Sequence, residues 1–271
     1  MVALRFRLLL LAAVCAVFGG ALGAPFHLDD FSLAASPTLT SPDGWKQLLQ
    51  PMQTRPLTEL SFWAQLQFTR EPWAFRLFNL LLHLASVWLA CGVLEGSVGG
   101  RAARIAAAVF AFHPLQTQAV VYVFARATLL AGFFCLASIR DWRQGRPWRA
   151  FAWFAAALLA KEEAVALPLV LALAGWAEGR LAALRAPLSA MAAVAAATGL
   201  RTIAAVSATP GSGAGAQSGF TPFEYFSFQG VAILRYLWLL LVPVGFTPEP
   251  AVRTGPWPAS LAWGVIAVLA L

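Results

Sequence analysis

Between Arg104 and Arg140 lie 35 residues that are almost wholly apolar, with Arg126 as their one full charge. A single crossing of the ~30 Å hydrocarbon layer takes ~20 helical residues, so the stretch is too long for one span. Arginine flanks it at both ends, and the positive-inside rule keeps such flanks on the cytoplasmic side. The stretch must therefore cross an even number of times. It reads as a helical hairpin with two short legs and an outer turn within His113 to Thr128, marked by His113-Pro114 and Arg126-Ala127-Thr128. The same logic makes Ala150 to Gly179 a second hairpin. It runs from the basic loop of Arg140, Arg143, Arg146 and Arg149 to Arg180 and Arg185, with Lys161-Glu162-Glu163 at its tip.

The rest of the chain agrees with a multi-pass membrane protein. Sixty per cent of residues are hydrophobic, 11% are charged and mean hydropathy is +0.71. A soluble domain carries about a quarter charged residues. The net charge of +7 does not point to nucleic acid, because the arginines sit at the joints between apolar runs. Cys15, Cys91 and Cys135 all lie inside apolar runs without metal-ligand spacing, so they read as small buried residues. Residues 8–24 are expected to form an uncleaved first span running outward from Arg5 and Arg7, in preference to a signal peptide ending at Ala21-Leu22-Gly23-Ala24.

A long extracytoplasmic loop, 25–75, follows, with short surface helices expected over Asp43 to Leu49 and Leu57 to Phe68. Trp45, Phe62, Trp63, Phe68, Trp73 and Phe75 are expected at headgroup depth. Further spans cover about 77–93, 186–206 and 228–244, with a flexible loop at 207–227, rich in Gly, Ser and Ala over Thr209 to Gly219. The last apolar run stops at Leu271, which reads as a C-terminal truncation. The expected fold is all-α and polytopic: one domain over residues 1–271, with about eight to nine transmembrane helices and short interfacial helices in the first outer loop.

Charges in or beside apolar runs are costly and tend to face a cavity or a partner. Asp29-Asp30 leaves the first span flanked by Phe26, Leu28 and Phe31. Carboxylates in partly desolvated surroundings suit a general base, although an ordinary acidic loop fits the same spacing. On this topology Asp43, Glu59, Glu71, Glu162 and Glu163 share the outer side with them, whereas Glu95, Asp141 and Glu178 do not. Lys161-Glu162-Glu163 fits either a cavity, with Lys161 binding a phosphate or Glu163 lining it, or a solvated hairpin tip with Lys161 paired to a neighbouring Glu. Arg126 and Arg235, both within apolar sequence, call for an anionic partner, either a lipid phosphate or a carboxylate of the protein. His83 reads as hydrogen-bonded to a neighbour, and His113-Pro114 as a kink. No Walker loop, dinucleotide glycine pattern, Ser/His/Asp arrangement or Cys/His metal cluster occurs in the sequence.

Taken in order, the motifs resemble a known family. They are Asp29-Asp30, Arg55-Pro56-Leu57-Thr58-Glu59-Leu60-Ser61-Phe62, Phe75-Arg76-Leu77-Phe78-Asn79-Leu80-Leu81-Leu82-His83, and Phe112-His113-Pro114-Leu115-Gln116-Thr117-Gln118-Ala119-Val120. Leu159-Ala160-Lys161-Glu162-Glu163 and Arg235-Tyr236-Leu237 complete the series. The pattern is similar to the transmembrane and tetratricopeptide-repeat O-mannosyltransferases and their bacterial relatives, glycosyltransferases of the GT-C fold. The resemblance implies a sugar, plausibly mannose, moved from a polyprenyl-phosphate donor to a hydroxyl of an extracytoplasmic protein or glycan. It implies Asp29 as the base with Asp30 beside it, and Lys161 and Arg235 near the lipid phosphate. Arg55, His113, Arg126, Glu162 and Glu163 complete the expected substrate-binding set.

Membrane lipid and the lipid-linked donor are the expected partners, nucleic acid is not, and a divalent cation is left open as a cofactor. The expected location is an inner (plasma) membrane of bacterial type with the site facing outside. Two positions depart from the family pattern: relatives carry acids where this chain has Gln118 and Thr128. A non-catalytic protein of the same fold, binding lipid or supporting assembly, or an inactive fragment, is the other reading that the sequence leaves open.

Overall fold

The computed structural model describes residues 2–208, 221–245 and 256–269, and every regular element among them is a helix. The chain divides into two compact units, Met1–Ala205 and Val206–Leu271. Among the described residues three helical segments are long and apolar enough to cross a membrane: Pro72–Ser97, Val123–Arg143 and Leu181–Ala208.

In the first unit α1 (Val2–Gly19) leads into four short helices: α2 (Asp30–Ala35), α3 (Pro37–Thr40), α4 (Trp45–Leu48) and α5 (Pro56–Leu66). Prolines at the starts of α3 and α5 suit the first helical turn, where the missing N–H costs nothing. Gly44 permits the close turn between α3 and α4, since a Cβ there would overlap the Thr38 carbonyl. In α5 the buried residues are Thr58, Phe62 and Leu66, a four-residue repeat that makes one helical face. That face joins Leu33, Leu39, Leu48, Phe75 and Val123 in one apolar cluster.

The longest helix, α6 (Pro72–Ser97), is the spine of this unit. Arg7 clasps Glu95 near its end (Nε–Oε1 3.3 Å, Nη2–Oε2 2.5 Å), and Phe18 meets His83 edge-on nearer its start, so α1 runs antiparallel to it. Next, α7 (Gly100–Phe112) returns beside α6, with His83 Nε2 hydrogen-bonded to Ala111 O at 3.0 Å. A turn containing α8 (Leu115–Val121) and a 3₁₀ segment, Val123–Ala125, leads into α9 (Arg126–Arg143). Asn79 meets Arg126 at one end and Val93 meets Arg143 at the other, so α9 runs parallel to α6.

Packed against α9 is α10 (Pro147–Ala160), tied by Ser138 Oγ donating to Ala150 O at 2.8 Å. A 3₁₀ segment, Glu162–Ala166, links it to α11 (Leu167–Ala177), and α12 (Arg185–Ala208) follows. The helix breaks thus fall at 113–125 and 161–166, where the charge pattern places the hairpin turns. The second unit holds α13 (Pro222–Leu241), opened by a capping box between Thr221 and Glu224, and α14 (Pro256–Leu269).

Two expectations need adjustment. Phe62 and Phe75, expected at headgroup depth, are buried inside the protein, where they face the Arg126 guanidinium. Of the flexible loop expected at 207–227, residues 207–208 end α12 and 222–227 begin α13, while 209–220 lie outside the described residues.

Candidate functional site

Just after α1 the backbone makes an uncommon turn. Leu28 adopts φ +52°, the only non-glycine residue with positive φ among the described residues, and its side chain points to solvent. A left-handed residue with a Cβ costs about 1–2 kcal/mol, so its surroundings must hold it. The turn separates the two acids that follow. Asp29 is exposed, whereas Asp30, the first residue of α2, has no exposed surface.

Asp30 is embedded in the fold. Its Oδ1 accepts from Phe124 N at 2.9 Å, and its Oδ2 accepts from His27 N at 3.4 Å and lies 4.0 Å from Arg76 Nη2. Arg76, 1% exposed, donates Nε to Val121 O at 3.0 Å, Nη2 to Pro25 O at 2.6 Å and Nη1 to Ala24 O. One guanidinium thus fastens the chain leaving α1 to the turn before α9. A buried carboxylate beside a buried guanidinium, with further bonds to backbone, is a tolerable way to bury both charges.

Asp29 meets the same turn from outside. Tyr122 Oη donates to Asp29 Oδ2 at 2.7 Å, and Asp29 N donates to Tyr122 Oη at 3.3 Å. The Tyr122 ring stacks on His27, with centroids 6.0 Å apart and planes 15° apart, and His27 Nδ1 is hydrogen-bonded to Pro25 O at 3.0 Å. Burial, and then the Asp29 carboxylate, push the Tyr122 hydroxyl up to about 12.

Arg126 is wholly buried. It donates Nη2 to Gln65 Oε1 at 2.6 Å, Nε to Asn79 Oδ1 at 3.0 Å, Nη1 to Ser61 O at 3.2 Å and Nη2 to Phe75 O at 3.4 Å. Its guanidinium carbon sits 4.2 Å from the Phe62 ring centroid and 4.4 Å from that of Phe78. The anionic partner expected from sequence is replaced by neutral oxygens and ring faces.

The α10–α11 tip packs at this same end. Thr58 Oγ1 donates to Ala160 O at 2.8 Å, and Arg55 holds Glu162 with two bonds, 2.9 and 2.6 Å. That two-point contact holds the Glu162 carboxyl below its ordinary range and raises Arg55. Burial raises Glu59, against the pull of Arg55. Lys161 Nζ pairs with Glu163 at 2.9 Å and donates to Thr128 Oγ1 at 3.0 Å, so one of the departing positions touches the candidate phosphate ligand. Arg201 of α12 donates to Thr54 O at 2.9 Å.

His113, at the end of α7, accepts from Leu115 N at 3.2 Å, a local turn contact. Arg235 belongs to the second unit, where it donates to Gly245 O at 3.2 Å. Among the described residues no three His, Cys, Asp or Glu side chains gather as a metal cage.

Asp29, Asp30, Arg55, Arg126, Lys161, Glu162 and Glu163 therefore all lie at one end of the first unit. Arg7, Glu95 and Arg143 mark the opposite end. Sequence reasoning missed Arg76 and Tyr122 as members of this end. Arg76 had a signal, an arginine inside an apolar run. Tyr122 had none, because its value comes from meeting a residue 93 positions earlier.

No family model and no solved structure matches the chain. It is 40% identical over 89 residues to protein O-mannosyl-transferase tmtc2 of Xenopus laevis, a match covering 31% of this chain and 10% of that protein. It is 28% identical over 153 residues to protein O-mannosyl-transferase TMTC3 of Mus musculus, covering 51% of this chain and 17% of that protein. With TMTC3 of Homo sapiens it shares 30% identity over 93 residues, 34% of this chain and 10% of that protein. The matches thus span no more than 17% of the length of these relatives. In sequence, the chain resembles the protein O-mannosyl-transferases.

Proposed function

We propose that the chain is a multi-pass membrane glycosyltransferase of the GT-C type. It would move a sugar, plausibly mannose, from a polyprenyl-phosphate donor to a hydroxyl of an extracytoplasmic protein or glycan. The single observation that carries this reading is the state of Asp29: an exposed carboxylate held in place by Tyr122, at the end of the unit that also carries Lys161. The names of the relatives supply the sugar and the kind of acceptor.

In the proposed reaction Asp29 takes the proton of the acceptor hydroxyl as its oxygen attacks the anomeric carbon. The bond from that carbon to the phosphate oxygen breaks, the bonding pair leaves with polyprenyl phosphate, and the sugar inverts. General bases contribute about 10²- to 10⁴-fold to such steps. Lys161 is assigned to the leaving phosphate. Asp30 is given a structural role, since its carboxylate is consumed by Phe124 N and Arg76. Arg126 is also withdrawn from phosphate binding, because protein oxygens take up its N–H groups. The reading places the membrane domain over residues 1–271, with about eight to nine spans and the Asp29 end outside an inner-type membrane.

The test is turnover of polyprenyl-phosphate mannose and glucose in membranes carrying wild type or Asp29→Asn. Loss of at least about a hundredfold in the variant supports the enzyme and its base together. Undiminished turnover removes Asp29 from that role. No turnover by folded wild type favours the non-catalytic reading, to which Gln118 and Thr128 already point.

A further inference from the structure

We propose that Tyr122 is a positioning residue for the carboxylate of Asp29, and that the turn 121–124 is the cradle that sets the direction of the proposed base. The proposal rests on the glycosyltransferase reading and deepens it.

Four consecutive residues of this turn each reach the outer end of α1, α2 or α6. Val121 O accepts from Arg76, which also holds Ala24 O and Pro25 O. Tyr122 grips Asp29 at two points, side chain and backbone N–H. Val123 is fully buried in the cluster with Leu33 and Phe75, and Phe124 N donates to Asp30. The turn is therefore fastened on both sides of Tyr122, so its ring cannot follow Asp29 if the carboxylate swings away. His27, stacked on the opposite partner of this contact, limits rotation of the ring.

The clasp has a chemical consequence. Tyr122 occupies Oδ2, and among the described residues Oδ1 takes no hydrogen bond. Oδ1 is then the oxygen with both lone pairs free to accept a proton from a substrate hydroxyl, whereas Oδ2 keeps one. An exposed aspartate samples several rotamers, most of which point the free oxygen away from any one acceptor position. Tyr122 reduces these to one. Its hydroxyl, pushed up to about 12, stays protonated at every working pH, so the donor is always present. Phenylalanine would keep the ring and its stack on His27 while removing only the clasp.

The experiment measures kcat and KM for polyprenyl-phosphate mannose, with a hydroxyl acceptor in excess, on the full chain in native membranes. Wild type, Tyr122→Phe, Asp29→Asn and the double variant are compared. The expected result is a kcat lower by roughly ten- to a hundredfold in Tyr122→Phe, the scale of one hydrogen bond to a charged group. Donor KM stays within about twofold, and the double variant is no slower than Asp29→Asn alone, as expected of residues acting as a unit. A Tyr122 that only supported the fold would slow both backgrounds equally and would change KM as well, and either result overturns the proposal. Unchanged kcat in Tyr122→Phe with a large loss in Asp29→Asn overturns the positioning role and leaves the base in place. Unchanged turnover in Asp29→Asn, or none in wild type, overturns both.

Discussion

Replacing Arg126 by Met tests what holds the outer helices to the bundle. Arg126 at the start of α9 joins α5 (Ser61, Gln65) to α6 (Asn79, Phe75) through a single side chain. Methionine keeps the apolar stem and loses the fork. Gln65 Oε1 and Asn79 Oδ1 then face one another's former donor with no replacement, at about 1–3 kcal/mol each. Contact with Phe62 and Phe78 falls from a desolvated cation–π interaction of about 2 kcal/mol to a sulfur–aromatic contact of about 1 kcal/mol. Against this, removing a buried charge returns several kcal/mol of desolvation. The losses sum to about 3–7 kcal/mol and exceed that gain because the guanidinium has so many good acceptors, leaving a net destabilisation of up to about 3 kcal/mol.

Lysine is the sharper comparison. It keeps the charge, and with it the desolvation cost, but one ammonium cannot span Gln65, Asn79 and Ser61 as the planar fork does. Arg126→Lys should therefore be at least as damaging as Arg126→Met, despite being the more conservative change. Unfolding temperature in detergent micelles reads both. A loss of 3 kcal/mol corresponds to about 6–12 °C in a chain of this size. Full stability in Arg126→Met, or full rescue by lysine, would refute the account of the guanidinium as a geometric fastener.

The two acids should separate in the same assay: Asp30→Asn leaves Arg76 without its buried counter-charge and should cost about 3 kcal/mol, whereas exposed Asp29→Asn should stay within about 0.5 kcal/mol yet lose turnover. Acid should loosen the α10–α11 tip. Arg55 lowers Glu162 in the folded state, so the stability of that contact is present above the ordinary value of 4.5 and is lost as pH falls through the lowered one. Glu59, raised by burial, has the opposite sign and offsets part of that loss near pH 4.5. Hydrogen exchange at 161–166 across pH 3 to 6 reads the sum, and protection that falls on raising the pH through this range contradicts the assignment. Cysteines placed at Glu163, whose side chain is 71% exposed, and at Arg146 should label from opposite sides of the membrane. Labelling of both from one side removes the hairpin topology.

The helix breaks were legible in the sequence because they depend on local residues. His113-Pro114 ends α7 where proline removes a helical donor, and Lys161-Glu162-Glu163 interrupts a run with no other charge between Arg149 and Glu178. The end of the unit at which chemistry is proposed was legible for the same reason. What could not be read was which partner each charge finds. Arg126 asks for compensation, but whether this comes from phosphate, carboxylate or a box of amides and phenyl rings depends on how α5 and α6 converge on it. The residues forming that box, Ser61, Gln65, Asn79 and Phe62, are unremarkable one by one. The burial of Phe62 and Phe75 has the same cause: an aromatic near a span end can face lipid or protein, and here it packs on the buried cation.

Asp29 and Asp30 show the same limit at a finer scale. As neighbours they have equal claim to be the base, and their apolar flanks favour neither. The difference arises from one backbone angle. With Leu28 at φ +52° the chain folds back so that Asp30 N reaches His27 O at 3.1 Å and α2 begins at once. The first helical residue then points inward, to Phe124 N and Arg76, and the residue before it points outward to Tyr122. Glycine would adopt this angle without strain, yet the position holds leucine, so the fold carries about 1–2 kcal/mol here that a substitution could release. If that strain serves only the turn, Leu28→Gly should gain stability and keep turnover. If it holds Asp29 against Tyr122, the gain in freedom should cost kcat, because a glycine hinge lets the acidic pair rotate as one. Stability rising while turnover falls would place the strain in the service of the site, and stability rising with turnover unchanged would place it in the fold alone.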